Sequence, residues 1–174
     1  MSEKQKSELF EWIQAIVFAV VLAFIIRTFL FEFILVEGSS MVPTLHDGDR
    51  IAVNKLIYRI SKPKSGDIVI FRNPGDPSTN FIKRVIGVEG DRVAIRDGAV
   101  YVNDKKLDEP YINEVTIGNF DEITVPKDTI FVLGDNRNHS RDSRDPGVGC
   151  IPLGNLFGKA KLRIWPISDI EWFQ

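Results

Sequence analysis

Fifteen consecutive residues near the start of the chain, Trp12 to Ile26 (WIQAIVFAVVLAFII), carry no charge and hold only Gln14 as a polar side chain. Extended by Leu9 and Phe10 on one side and by Thr28 to Leu30 on the other, the segment approaches the roughly 20 residues that cross a bilayer as a helix. Glu11, Trp12 and Arg27 stand near its ends, where charged and indole groups reach the interface. A buried soluble helix and a cleaved signal peptide compete with this reading. Cleavage would need a small-x-small site just after the apolar core, and Ala15, Ala19 and Ala23 are instead four apart on one helical face. The expectation is an uncleaved anchor over residues 12–30, with a short tail (1–11) before it and a separate domain (31–174) after it. Lys4 and Lys6 precede the segment while Arg27, Arg50, Lys55, Arg59, Lys62 and Lys64 follow it, so basic residues leave its orientation open.

Beyond Val36 the pattern changes. Short β-branched and apolar runs at Ile51–Val53, Asp67–Phe71, Phe81–Val88, Arg92–Ile95, Val100–Val102, Ile123–Val125, Ile130–Leu133 and Lys159–Ile164 read as strands. Lys64-Ser65-Gly66-Asp67, Asn73-Pro74-Gly75-Asp76, Glu89-Gly90-Asp91 and Asp97-Gly98 are turn signals between them. Many short strands so spaced predict a mainly β domain, barrel-like or sandwich-like. The chain shows no βαβ alternation and no nucleotide-binding glycine loop, so no nucleotide is expected. Its formal charge of −2 argues against nucleic-acid binding. A lone Cys150 excludes an internal disulfide, and two histidines, His46 and His139, make a His-rich zinc site unexpected. Neither a metal nor an organic cofactor is implied.

Chemistry concentrates at three places. The first is Gly38-Ser39-Ser40-Met41-Val42-Pro43-Thr44-Leu45. A serine on a glycine-preceded tight turn exposes its hydroxyl, and its own N–H is free to meet a developing oxyanion. The second is Lys83. With a two-residue period it shares a strand face with Phe81 and Val85, while Ile82, Arg84 and Ile86 take the other. Desolvation among apolar neighbours lowers an amine's pKa, and a neutral amine can act as general base near neutral pH. Arg84 stays charged, so if covered it must meet a carboxylate, Asp135 or Asp142.

The third is the eleven-residue run Gly134 to Arg144, which has no apolar side chain and follows the buried-looking strand Ile130–Leu133. It reads either as a solvated loop or as an internally bonded polar network supporting a site. Asp142 and Arg144 could pair there, and Ser140 could hold another polar group.

These stretches, in this order, resemble bacterial type I signal peptidase, the membrane-bound serine protease that removes signal peptides from exported proteins. The matching residues are Gly38-Ser39-Ser40-Met41-x-Pro43-Thr44-Leu45, Gly66-Asp67-Ile68-Val69, Lys83-Arg84-x-Ile86-Gly87 with Gly90-Asp91, Gly134-Asp135-Asn136-Arg137-x-x-Ser140-x-Asp142-Ser143-Arg144, and Gly158-Lys159-Ala160 with Trp165-Pro166. The resemblance implies Ser40 as nucleophile and Lys83 as general base, with Ser140 beside the lysine amine. It implies oxyanion or turn support from Gly38, Ser39 and Met41, and a structural polar network of Arg84, Asp135, Arg137, Asp142 and Arg144. Some Gram-negative members carry a serine at the position of Gly38, whose hydroxyl helps bind the oxyanion; here the Ser40 N–H becomes the main donor. A signal-peptidase-like β domain of short, largely antiparallel strands is implied, behind one N-terminal transmembrane helix and on the extracytoplasmic face of the cell membrane. Implied partners are signal-peptide-bearing preproteins, the lipid bilayer and the protein-export channel, with cleavage after small-x-small sites. Competing readings are a self-cleaving Ser–Lys protease, a non-catalytic membrane-tethered binding domain, and a cysteine protease using Cys150 and His139.

Overall fold

A computed structural model describes residues 3–25 and 31–173. Helix α1 spans Glu3–Ile25, so it begins upstream of the expected anchor. Twelve strands follow among the described residues: β1 (Phe31–Leu35), β2 (Arg50–Asn54), β3 (Ile68–Asn73), β4 (Asp76–Val88), β5 (Arg92–Arg96), β6 (Ala99–Val102), β7 (Lys105–Lys106), β8 (Phe120–Thr124), β9 (Thr129–Leu133), β10 (Ile151–Pro152), β11 (Leu156–Trp165) and β12 (Glu171–Trp172). A one-turn helix α2, Ile57–Ile60, separates β2 from β3.

Among the described residues no helix is long and apolar enough to cross a membrane. The uncharged part of α1, Trp12 to Ile25, reaches only about 21 Å at the helical rise per residue, against a hydrocarbon core of about 30 Å. Residues 26–30, the far end of the expected anchor, lie outside the described residues.

The larger sheet runs β1-β2-β11-β3-β4-β9-β10, with β12 also paired to β11; the smaller runs β7-β6-β5-β8. Every pairing is antiparallel. Alternation of side chains along the strands distributes them among three cores. Ile68 and Ile70 of β3 join Met41, Leu45, Ile51 and Val53 in one cluster. From the opposite face, Val69 and Phe71 meet Val85, Ile130 and Val132 in a second. Ile86, Phe131 and Leu133 face a third, shared with Val93 and Ile95 of the smaller sheet. Strand β3 is therefore apolar on both faces because each face supplies a different core. Strand β4 lies between β3 and β9, with Lys83 opposite Val69 and Arg84 opposite both Ile68 and Leu133.

Candidate active site

The turn after β1 is fixed at several points. Val36 N–H donates to Asp49 O at 2.8 Å, and Gly48 N–H returns a bond to Val36 O at 3.0 Å. Gly38 takes φ = +88°, a left-handed conformation open to glycine at little cost. Its N–H is committed to Asp47 Oδ1 at 2.7 Å. Met41 and Leu45 are buried in the first core, so the apolar side chains after Ser40 anchor the turn from below. Ser39 is exposed and Ser40 half-buried. Met41 thus supports the turn by packing, whereas the Gly38 N–H is occupied.

From strand β4, Lys83 Nζ lies 2.8 Å from Ser40 Oγ and donates to Ile82 O at 2.9 Å. Lys83 is only 4% exposed, and its ammonium stands over the Phe81 ring at 5.0 Å. Burial pushes the Lys83 pKa down to about 8, with Asp142 and Asp135 pulling the other way. The neutral fraction at pH 7 is then about one in ten, against fewer than one in a thousand for an ordinary lysine. The face shared by Phe81, Lys83 and Val85 is the apolar one expected from the two-residue period.

The run from Gly134 to Arg144 is largely buried at its charged positions, with Asp135, Arg137 and Asp142 each 1% exposed. Arg84 selects Asp135: Nε donates to Oδ1 at 2.8 Å and Nη2 to Oδ2 at 2.7 Å. Thr44 Oγ1 also donates to Asp135 Oδ2, at 2.5 Å. Asp142 accepts from Arg144 Nε and Nη2, both at 2.8 Å, and from Gly134 N–H at 3.0 Å. Arg137 Nη2 donates to Glu109 Oε1 at 2.6 Å and its Nε to Gly134 O at 3.0 Å. Tyr111 stacks under Arg84 at 3.9 Å; burial, then Glu109, pushes its phenol pKa up.

The Lys83 amine bonds Ser40 and Ile82 and makes no hydrogen bond to Ser140. The Ser140 hydroxyl is buried without a hydrogen-bond partner among the described residues. Gly134 makes room for it. A Cβ there would come within 2.2 Å of Ser140 Oγ and 2.5 Å of Ser40 O.

Thr44, Gly134 and Asn136 stand in the matching motifs without an assigned role, and Glu109 and Tyr111 lie outside those motifs. Asn136 bonds the Ser39–Ser40 turn twice, from its N–H to Ser40 O and from Nδ2 to Ser39 O, each at 3.0 Å. A glycine ending a buried strand was a visible signal of close approach. Glu109 offered none, since its partner Arg137 lies 28 positions away.

A groove of about 650 Å³ opens over Ser40 and Lys83, with Ile34, Ile70, Phe81 and Ile82 supplying apolar wall and His139 and Arg141 standing at its side. Cys150 does not line this groove but packs against the third core, and burial pushes its thiol pKa up, away from a ready thiolate. Among the described residues no His, Cys, Asp and Glu cluster could hold a metal.

Serine endopeptidases need an oxygen that attacks a carbonyl and a base neutral enough to take its proton. The groove floor holds a hydroxyl in contact with an amine of lowered pKa, and comparison with known proteins puts the chain in that class of hydrolase. A family model described as signal peptidase, peptidase S26, matches residues 9–165. Signal peptidase I of Bacillus licheniformis is 42% identical, over 98% of this chain and 96% of its own. Signal peptidase I T of Bacillus subtilis is 43% identical over 98% and 92%, and signal peptidase IB of Staphylococcus aureus 37% over 96% and 95%. The crystal structure of a signal peptidase I from Enterococcus faecalis aligns at 33% identity and a TM-score of 0.51, covering 57% of this chain and 97% of that one. The chain belongs to the signal peptidase family, peptidase S26.

Proposed function

We propose that the chain removes N-terminal signal peptides from exported preproteins, cutting after small-x-small sites with a Ser40–Lys83 dyad. The observation that carries this reading is the 2.8 Å contact between Ser40 Oγ and an amine whose burial lowers its pKa to about 8. Neutral Lys83 takes the proton of Ser40 Oγ as the oxygen bonds the scissile carbonyl carbon. The Ser40 N–H meets the resulting oxyanion. Lys83 then protonates the leaving amine, and a water that loses its proton to the same lysine releases the acyl group. An extended substrate would lie along the groove between residues 34–38 and 78–82, adding backbone bonds as a further strand.

Membrane tethering through α1 belongs to the same proposal, with residues 31–174 on the extracytoplasmic face, where preproteins emerge beside the export channel. Phe10, Trp12, Phe18 and Phe24 are each more than 60% exposed, and so wide an apolar surface on one helix calls for an apolar environment.

The test is to incubate the detergent-solubilised chain and its Ser40→Ala variant with a preprotein and to read the cut by mass spectrometry. A single cut after a small-x-small site, lost in the variant, is expected. Equal cleavage by the variant would overturn the dyad, and an internal cut in the chain itself would favour self-cleavage.

A further inference from the structure

We propose that Asn136 is a positioning residue: its side-chain amide holds the Ser39–Ser40 peptide plane and so aims the Ser40 N–H at the oxyanion. This rests on Ser40 being the nucleophile and adds what orients its oxyanion donor. Among the described residues the Ser40 N–H donates to no protein group, while the nearby Gly38 N–H is taken by Asp47.

A trans peptide is planar, so the Ser39 carbonyl and the Ser40 N–H point in opposite directions within one rigid unit. Holding the oxygen sets the direction of the hydrogen. Two donors reach Ser39 O: Asn136 Nδ2 at 3.0 Å and Val42 N–H at 3.2 Å. The Val42 bond arises inside the same turn and moves with it. Asn136 comes from the chain after β9, 97 positions away, and therefore ties the turn to the body of the sheet. Its N–H also donates to Ser40 O at 3.0 Å, so the peptides on both sides of the Ser40 Cα are held by one residue.

The amide has a defined sense. Asn136 Oδ1 lies 3.3 Å from His139 Nδ1, which turns Nδ2 toward Ser39 O. The preceding residue, Asp135, is clamped by both arms of Arg84. Lys83 and Arg84 are neighbours on β4, and Asp135 and Asn136 are neighbours beyond β9, the strand paired with β4. The amine that takes the proton and the N–H that meets the negative charge are thereby referred to one strand pair.

When Ser40 attacks, the Oγ–C bond forms, the Oγ proton passes to Lys83 Nζ, and the carbonyl π pair becomes the oxyanion. A misaimed Ser40 N–H costs nothing until that charge appears, so its loss lowers kcat and leaves KM nearly unchanged. The probe is a peptide aldehyde with alanine at the last and third-last side-chain positions, which adds to Ser40 as a tetrahedral adduct. Measured on the full chain in detergent, Asn136→Ala and Asn136→Asp should each weaken aldehyde binding and lower kcat by about 10- to 100-fold. The affinity for the corresponding ordinary peptide, measured in the Ser40→Ala background, should not change. Asn136→Asp keeps shape and backbone bond while replacing the donor by an acceptor, which decides the matter if the alanine variant folds poorly. Equal weakening of aldehyde and peptide, or of neither, overturns the proposal. An aldehyde held as tightly by Ser40→Ala as by the parent would instead remove the nucleophile reading itself.

Discussion

An amine in the position of Lys83 trades stability for reactivity. Its folded-state pKa of about 8 lies below the roughly 10.4 of an unfolded chain. Between these values the unfolded state binds more protons, so stability rises with pH across that window. Below about pH 8 both states are protonated and the burial penalty is fully present. Lys83→Met should therefore abolish turnover yet be more stable than the parent at pH 7, by up to about 3 kcal/mol, with the difference fading toward pH 10. Denaturant unfolding of both proteins at the two pH values measures this, and a less stable variant at pH 7 would refute the burden. In the parent, kcat/KM should climb through pH 8 and then level, since that ratio reports the free enzyme's base. Gly134 carries a second residue-scale expectation. Gly134→Ala should cost about 1–3 kcal/mol by overpacking, and activity on the order of 100-fold, because the added methyl displaces the Ser40 carbonyl. Thermal unfolding and a peptide assay separate the two losses.

At the scale of elements, the polar run after β9 stands or falls as a unit. Arg84 is 11% exposed at its side chain and Asp135 fully covered, so removing one partner strands the other. Asp135→Ala should cost about 3–5 kcal/mol in denaturant unfolding, whereas Arg84→Met with Asp135→Leu should cost much less. Equal costs for the single and the double variant would show that the pair does not act together. This network was half legible. The absence of any apolar side chain from Gly134 to Arg144 marked it, and the cover over Arg84 demanded a carboxylate, but both Asp135 and Asp142 stayed open. Only the pairing of β4 with β9 decides, because it sets Arg84 opposite Leu133, two residues before Asp135. Strands with β-branched runs were legible for the same reason that Lys83 was, a two-residue period with one covered face. Strand β8 was expected at Ile123–Val125 and forms over Phe120–Thr124, since Phe120 packs against the third core and extends the strand backward. β7, β10 and β12 are two-residue pairings fixed by their neighbours, and nothing local announces them. The bond from the Lys83 amine to the carbonyl of Ile82, its own neighbour in sequence, had no local signal either.

On the scale of the whole molecule, the catalytic machinery and the apolar helix make separable contributions. Among the described residues, all three cores are built from positions at or beyond Ile34. The C-terminus closes the first of them through Phe173, while Arg163 joins Asp49 at 3.2 Å to Glu171 at 2.8 Å. Strand β1 pairs with β2 along its full length from Phe31 onward, so a chain lacking residues 1–30 keeps every described strand. Such a truncation should unfold at nearly the temperature of the full protein. It should also cut a short soluble peptide, small at the last and third-last side chains before the bond, at an unchanged rate. What it should lose is the advantage of confinement. An enzyme and a preprotein held in one bilayer meet at an effective concentration set by the surface rather than the volume, which raises encounter without a new contact, by on the order of 100-fold or more. With vesicles carrying a membrane-bound preprotein, the truncated chain should therefore be slower than the full one, and the deficit should vanish when detergent disperses both. A deficit that persists in detergent, or on the soluble peptide, would mean that the helix shapes the site instead of bringing it to its substrate.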